Sequence, residues 1–347
     1  MSQPIEDRIP GFIKPFRVKP GAKVRLPEDF HPGDGVGARK ASDAKALLER
    51  GVELLAEYQA RLAAQDTAGV LVVLQAMDAA GKDGTIRHVM SGVNPQGVSV
   101  HSFKVPSSTE LDHDFLWRYA RKLPARGEIG IFNRSYYEEV LVVRVHEGIL
   151  DGQRIPAALK KGDVWDRRYR AINDWERYLT EQGFRIVKLF LNVSKEEQRT
   201  RFLSRIDEPE KNWKFSPNDA KERAYWDDYQ RAFEKMLGAT STEWAPWYVI
   251  PADDKPFARV AAAAVIVQAL IELDPRYPEV SLAAREALEA TKVALEAEAP
   301  KGAAADPYAA AVVEKAARKA KRAAKAARPA DTPAAQGRKK GKGKGKA

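Results

Sequence analysis

The chain predicts an α/β fold: a five-stranded parallel sheet sandwiched between two layers of helices. Three observations carry this. Five short apolar segments alternate with helix-like patterns. The first runs into a loop of small residues holding one lysine, in Leu71-Val-Val-Leu-Gln-Ala-Met-Asp-Ala-Ala-Gly-Lys-Asp-Gly-Thr-Ile86. Polar and cationic residues then follow four of the segments in turn, as at the carboxyl edge of such a sheet.

In chain order, residues 1–40 are rich in Pro, Gly and Lys and nearly aperiodic, which predicts an extended arm that wraps the domain or stays loose. Residues 41–65 space apolar side chains by three and four, so a helix is expected. Strands are expected at Val70–Gln75, Val98–Phe103, Ile129–Phe132, Arg185–Val193 and Trp247–Ile250, joined by right-handed crossovers. Ser194-Lys-Glu-Glu197 reads as a capping box and Ser216-Pro217 as a cap before a first-turn proline. Phe257–Leu273 reads as a packed closing helix. The catalytic domain is thus expected over 41–280, with a helical lid at about 200–225, where Pro, Trp and charge mix. Residues 281–347 turn Ala/Glu-rich, then Ala/Lys/Arg-rich, and predict a low-complexity tail, disordered or partly helical.

Composition narrows the chemistry. The chain has 347 residues and no cysteine, so disulfides and thiolate metal sites are out. No apolar run approaches the roughly 20 residues of a membrane span and no signal pattern opens the chain, so a cytoplasmic protein is expected, with no membrane partner. The net charge of +10 is unevenly placed. Residues 301–347 hold 14 Lys+Arg and 3 Asp+Glu, a net of +11, which leaves the first 300 at −1. Any anion site in the domain must come from local clustering.

The 76–84 loop is such a cluster. A strand feeding a Gly-Lys loop and a helix start turns backbone N–H groups, a helix dipole and an ammonium toward one point. Ala79, Ala80, Gly81, Lys82, Asp83 and Gly84 would form the cradle. The usual pattern is G-x-x-x-x-G-K-[ST]. Here Ala76 stands at the first glycine and Asp83 at the hydroxyl that would hold Mg²⁺, so the metal needs another ligand and Asp78 is nearest. Lys104 follows the second strand, Asn133-Arg134-Ser-Tyr-Tyr137-Glu138 the third, and Arg199, Arg201, Arg205 and Lys214 the fourth. Each has a plainer reading: a surface lysine, a solvated loop, a solvated arginine face. The five histidines lack metal-ligand spacing.

These residues, with Asn94-Pro95, Ser102-Phe-Lys-Val-Pro-Ser107, His113-Asp-Phe-Leu-Trp-Arg118 and Trp213-Lys-Phe-Ser-Pro217, resemble the polyphosphate kinase 2 family from about Phe16 to Pro278, its third class most of all. The resemblance implies a P-loop kinase-like three-layer α/β/α fold with a helical lid. It implies Mg²⁺-dependent transfer (Mn²⁺ as a substitute) between inorganic polyphosphate and AMP, ADP, ATP and guanine nucleotides, in a dimer or tetramer. Asp78 resembles the aspartate that organises Mg²⁺, helped by Asn133 or Glu138. Lys82 resembles the lysine on the transferred phosphate, and Arg134 lies in the motif lining the polyphosphate channel. Arg201 and Arg205 would close over the phosphates. The nucleotide would lie near Lys104, Tyr137, Glu138 and Lys214. Asn133 departs from the Phe-Asp-Arg-Ser of other classes, and an amide is no anionic ligand or base. Two alternatives stay open: a nucleoside monophosphate kinase using ATP, and a non-catalytic polyanion-binding protein.

The tail would bind polyphosphate or nucleic acid by counterion release. Deleting residues 301–347 is expected to leave kcat nearly intact and to raise KM for long polyphosphate at low salt, with short chains less affected. Steady-state kinetics at two chain lengths check this; equal changes for both, or none, count against capture by the tail.

Overall fold

The computed structural model describes residues 4–35 and 41–298, apart from the side chains of residues 41, 42 and 214. In chain order the helices are α1 (Ile5–Ile13), α2 (Ala41–Gln65), α3 (Lys82–Val89), α4 (Ser108–Leu111), α5 (Trp117–Ala120), α6 (Val142–Val145), α7 (Glu147–Gly152), α8 (Val164–Glu181), α9 (Lys195–Asp207), α10 (Pro217–Glu222), α11 (Trp226–Thr240), α12 (Lys255–Leu273) and α13 (Leu282–Ala297). The strands are β1 (Gly69–Ala76), β2 (Val98–Ser102), β3 (Ile129–Asn133), β4 (Phe184–Asn192) and β5 (Trp247–Pro251), each within a residue or so of its expected place. All neighbours run parallel, in the order β2-β3-β1-β4-β5. The sheet therefore reverses direction of growth at β1, and the crevice beyond β1 is where such sheets place ligands.

Packing explains the order. β1 is central and apolar, with Val70 to Leu74 essentially inaccessible. Helices α1, α2, α3 and α12 cover one face; α8 and α11 cover the other. α12 begins at Asp254, whose carboxylate accepts from Phe257 N at 2.9 Å, with Pro256 in the first turn. By length and composition this helix also passes for a membrane span, contrary to the reading above. It is nevertheless a core helix here, burying Val260, Val265, Ile266, Val267 and Leu270.

The N-terminal segment differs from a wholly extended arm. Ile5, Ile9, Phe12 and Ile13 share a face, and α1 packs that face on α12 despite Pro10 inside it. Beyond it the chain runs extended along β5: Arg17 bridges Tyr248, Val18 N donates to Trp247 O at 2.9 Å, and Asp253 N donates to Pro32 O at 3.2 Å. This covers an exposed sheet edge. The capping box at Ser194 is half made. Ser194 Oγ accepts from Glu197 N, but Ser194 N donates to Asp253 and the Glu197 carboxylate goes to Arg201. A complete box occurs instead at Ser107 and Glu110. From Glu279 the chain forms a separate unit, whose described part is α13, capped by Ser281 and exposed along its length. The rest of the basic tail lies outside the described residues.

A buried polar network braces the sheet under the 136–140 turn. Lys188 Nζ, on β4, donates to Glu176 at 2.6 Å, Tyr137 Oη at 2.9 Å and Thr240 O at 2.6 Å. Glu176 also accepts from Tyr136 and Tyr137, at 2.7 and 2.8 Å. Both charged side chains are wholly inaccessible. Lys188→Met would strand a buried carboxylate and is expected to cost about 3–5 kcal/mol of unfolding free energy. Adding Glu176→Gln should recover part of that loss, as read from urea unfolding of both variants; a double variant no more stable than the single would mean the pair is not coupled.

Candidate active site

The loop between β1 and α3 is held by its carbonyls. Ala76 O and Met77 O accept from Lys82 Nζ at 3.1 and 3.5 Å. Asp78 O accepts from Gln198 at 3.0 Å, and Ala79 O and Ala80 O accept from Arg201 Nη1 at 3.0 and 2.8 Å. Gly81 O accepts from Thr85 N at 2.9 Å. Every carbonyl from Ala76 to Gly81 thus points at a donor. The first-turn N–H groups of α3 have no intrahelical acceptor and remain for a ligand. Gly81 reaches this conformation at φ +108°, where a side chain would be strained, and Ala79 adopts φ +61°.

Around this loop lies an open cleft of about 1150 Å³. Asp78, Ala79, Gly81, Lys82, Asp83, Gly84, Lys104, Asn133, Arg134, Arg201 and Arg205 all line it, as the sequence suggested. Lys82 is partly buried, and burial first, then Arg134, hold its ammonium down to about 8, against the pull of Asp78, Glu138 and Asp83. Arg134 follows β3 at φ +64°, anchored by its N–H to Leu74 O at 3.0 Å. Its guanidinium donates to Asp78 Oδ1 at 2.9 Å and lies 3.6 Å from Glu138. Burial opposes the charge of Arg134, but Glu138 and Asp78 outweigh it and raise its pKa. Glu138 is pushed up by burial despite Arg134 and Lys82.

Four expectations need correction. Tyr137 does not face the cleft: it is fully buried, its hydroxyl spent on Glu176 and Lys188. Ala80 is buried behind the loop, and Glu138 backs Arg134 outside the cleft lining. Arg201 borders the cleft, but its donors are all engaged. Nη1 holds the loop, Nη2 donates to Ala252 O at 2.6 Å and Asp253 O at 3.1 Å, and Nε donates to Glu197 at 2.7 Å. It positions the loop and is not a free phosphate ligand. Arg205 also lines the cleft, 3.8 Å from Asp219 across the α9–α10 hairpin. The side chain of Lys214 lies outside what is described.

Sequence reading missed Lys255, Lys211 and Asp219, which also line the cleft. Lys255 had a signal, since Asp253-Asp254-Lys255 directly follows the last strand. Asp219 follows the legible Ser216-Pro217 cap.

Asn133 explains itself in three dimensions. Its Nδ2 donates to Asp83 Oδ1 at 2.7 Å and to Ser102 Oγ at 3.3 Å. Turning the amide over would set two oxygens face to face, so Asp83 fixes its orientation. Asn133 Oδ1 is left buried with no partner among the described residues, on a side chain that lines the cleft. No group of three His, Cys, Asp or Glu suited to a metal occurs among the described residues. Mg²⁺ asks for less: one or two protein oxygens beside phosphate and water. Asp78 and the orphaned Asn133 oxygen meet that requirement.

An anion cradle beside a lysine, at the switch point of a 2-3-1-4-5 parallel sheet, defines a phosphoryl-transfer protein of the P-loop kinase type. Comparison with known proteins narrows this. The sequence model for polyphosphate kinase 2 matches residues 38–277, and the chain belongs to that family. It is 54% identical over 276 residues to an ADP-polyphosphate phosphotransferase of Rhodopseudomonas palustris, covering 79% of this chain and 95% of that one. It is 46% identical over 271 residues to an AMP/ADP-polyphosphate phosphotransferase of Meiothermus ruber, covering 77% and 96%. The crystal structure of polyphosphate kinase 2 from Arthrobacter aurescens TC1 superposes with a TM-score of 0.69 at 42% identity, over 79% of this chain and 98% of that one.

Two outcomes follow from the geometry. A lysine with a pKa of about 8 is charged below that pH and neutral above it. The free enzyme therefore loses its phosphate-binding cation as pH rises, and kcat/KM is expected to fall about tenfold per unit above 8. In Lys82→Arg that limb should vanish, since arginine stays charged; a pH profile identical in both proteins would exclude Lys82 as its source. Asn133→Asp would set a carboxylate against Asp83 and is expected to lower kcat/KM at least about tenfold. Asp83→Asn in the same chain reverses the hydrogen bond and should restore much of the loss, read as a double-mutant cycle. Additive losses would mean the two side chains act separately.

Proposed function

We propose that this chain moves a terminal phosphoryl group between inorganic polyphosphate and nucleotides, phosphorylating both AMP and ADP, with Mg²⁺ as its cofactor. The observation that carries the reading is the loop whose carbonyls from Ala76 to Gly81 are all tied back, Ala76 O and Met77 O by Lys82 itself, which holds the Lys82 ammonium beside the first-turn N–H groups of α3. Membership of the polyphosphate kinase 2 family supplies the substrate class.

In this reading Lys82 and Arg134 neutralise charge on the transferring group, and Arg205 approaches from the hairpin. Arg201 fixes the loop on which they converge. The acceptor phosphate is already ionised at pH 7, so alignment and charge neutralisation suffice without a strong base. Asp78 and Asn133 Oδ1 are the residues that would hold Mg²⁺, with Mn²⁺ as a substitute; the ion would supply further positive charge to the phosphates. Lys104, which lines the cleft, would meet the nucleotide. Guanine nucleotides as acceptors, a dimeric or tetrameric assembly, a cytoplasmic location and polyanion binding by the tail belong to the same proposal.

Incubation of the protein with Mg²⁺, polyphosphate and AMP, without ATP, tests it by chromatography of the products. ADP and then ATP should appear; turnover only when ATP is the donor would favour an ordinary nucleoside monophosphate kinase. Asp78→Asn is expected to fold normally and to show little turnover at any Mg²⁺ concentration. Near wild-type rates at modest Mg²⁺ would mean that Asp78 is not the principal ligand.

A further inference from the structure

We infer that Gln198 and Arg223 are positioning residues: in series, they hold the Asp78–Ala79 peptide with its carbonyl turned away from the cleft, and they make that orientation depend on the seating of α10. The inference rests on the function proposed above and adds two residues that act on the phosphate loop without touching substrate. Neither side chain lines the cleft. Gln198 is 2% exposed on α9, and Arg223 is the residue that ends α10.

The hydrogen bonds fix which end of the amide does what. Gln198 Nε2 donates to Asp78 O at 3.0 Å, and Gln198 Oε1 accepts from Arg223 Nη1 at 2.9 Å. A carbonyl only accepts and a guanidinium only donates. Turning the amide over would set two oxygens together at one end and two donors at the other. Arg223 thus decides that Gln198 offers the loop a donor. The same Nη1 donates to Lys195 O at 2.7 Å, which ties the guanidinium to the first turn of α9.

The peptide held in this way is strained. Ala79 follows it at φ +61°, which costs an L-residue with a Cβ. Reversing the Asp78–Ala79 peptide would return Ala79 to the ordinary extended region. The N–H of a trans peptide points opposite to its C=O. With Asp78 O on Gln198, Ala79 N–H points away from α9, and among the described residues nothing accepts from it. Reversal would put a carbonyl oxygen in the place of this donor, and an oxygen there repels phosphate. Ala79 thus favours the wrong peptide, and Gln198 opposes it.

α10 supplies the seating. Asp219, Glu222 and Arg223 are spaced i, i+3, i+4 and share a face. Asp219 lines the cleft beside Arg205. Glu222 accepts from Tyr229 Oη on α11 at 2.9 Å and lies 2.9 Å from His146 Nε2. One helical turn therefore touches the cleft, the body of the domain and Gln198. When α10 loosens, Arg223 withdraws, the amide is free to turn, and the strained peptide is released.

The test compares full-length wild type, Gln198→Leu, Arg223→Met and the double variant, each also in an Ala79→Gly background, because glycine takes positive φ readily. Equilibrium binding of tripolyphosphate by calorimetry, kcat/KM for ADP phosphorylation from polyphosphate, and urea unfolding are measured. With Ala79 in place, Gln198→Leu should raise Kd and lower kcat/KM on the order of tenfold, and Arg223→Met about threefold, with the double variant no worse than Gln198→Leu. In the Ala79→Gly background the Gln198→Leu loss should shrink to about twofold and that of Arg223→Met should vanish, since the left-handed penalty, worth about tenfold in population, is gone. Additive losses, losses equal in both backgrounds, or no loss would each overturn the inference. Should Gln198→Leu fail to fold, Arg223→Met with and without Ala79→Gly decides by the same criterion. A protein whose tripolyphosphate binding follows this pattern yet never phosphorylates nucleotide from polyphosphate would instead overturn the proposed function and leave the two positioning residues standing.

Discussion

One guanidinium organises the active edge of this molecule. Arg201 reaches from α9 to four backbone carbonyls, two in the loop after β1 and two in the segment after β5. It is 5% exposed and held in turn by Glu197. Five directed donors in a rigid fork are what such a junction needs, and lysine could not replace them. The loop carbonyls turn away from the cleft because Arg201 and Gln198 take them. The first-turn N–H groups of α3, which have no intrahelical acceptor, are left beside the cleft. Phosphate binding here is thus prepared by interactions that never touch phosphate.

A second layer of support sits under Arg134. Its left-handed backbone costs on the order of 1–3 kcal/mol and persists only if its neighbours leave no alternative. Ser135 accepts from Gln75 on one side, and Tyr136 and Tyr137 are pinned by Glu176 and Lys188 on the other. The buried ion pair is a weak stabiliser on its own account. Its geometry matters more, because it connects β4, α8 and α11 to the turn that aims Arg134 at Asp78.

Much of this was legible in the sequence, for definable reasons. Four strands, all but the edge strand β2, are buried on both faces and read as apolar runs, so their limits emerged almost to the residue. The Gly-Lys loop and the polar residues after each strand gave the cleft. What sequence could not separate was an arginine that binds ligand from one that binds backbone. Arg201 and Arg205 share a helix face and differ only in what lies opposite. Tyr137 sits among site residues in the chain, yet its side chain points into the core. Asn133 looked like a lost carboxylate until Asp83 was seen beside it. α1 escaped notice because two prolines and a glycine mask an apolar spacing of four.

The same N-terminal residues bear on where the domain begins. The family match starts at residue 38, after the last of them. Yet Ile9, Ile13, Phe16, Val18, Val24 and Leu26 are core residues, and Leu26 N donates to Glu234 at 2.7 Å while Asn192 donates to Phe30 O at 2.8 Å. The segment ends on Asp253, one of the residues Arg201 grips. A chain trimmed to the residues that the family model matches would bare the outer edge of β5, open the face of α12 and loosen one anchor of the phosphate loop. The span of the family model and the unit that folds here do not have the same boundary.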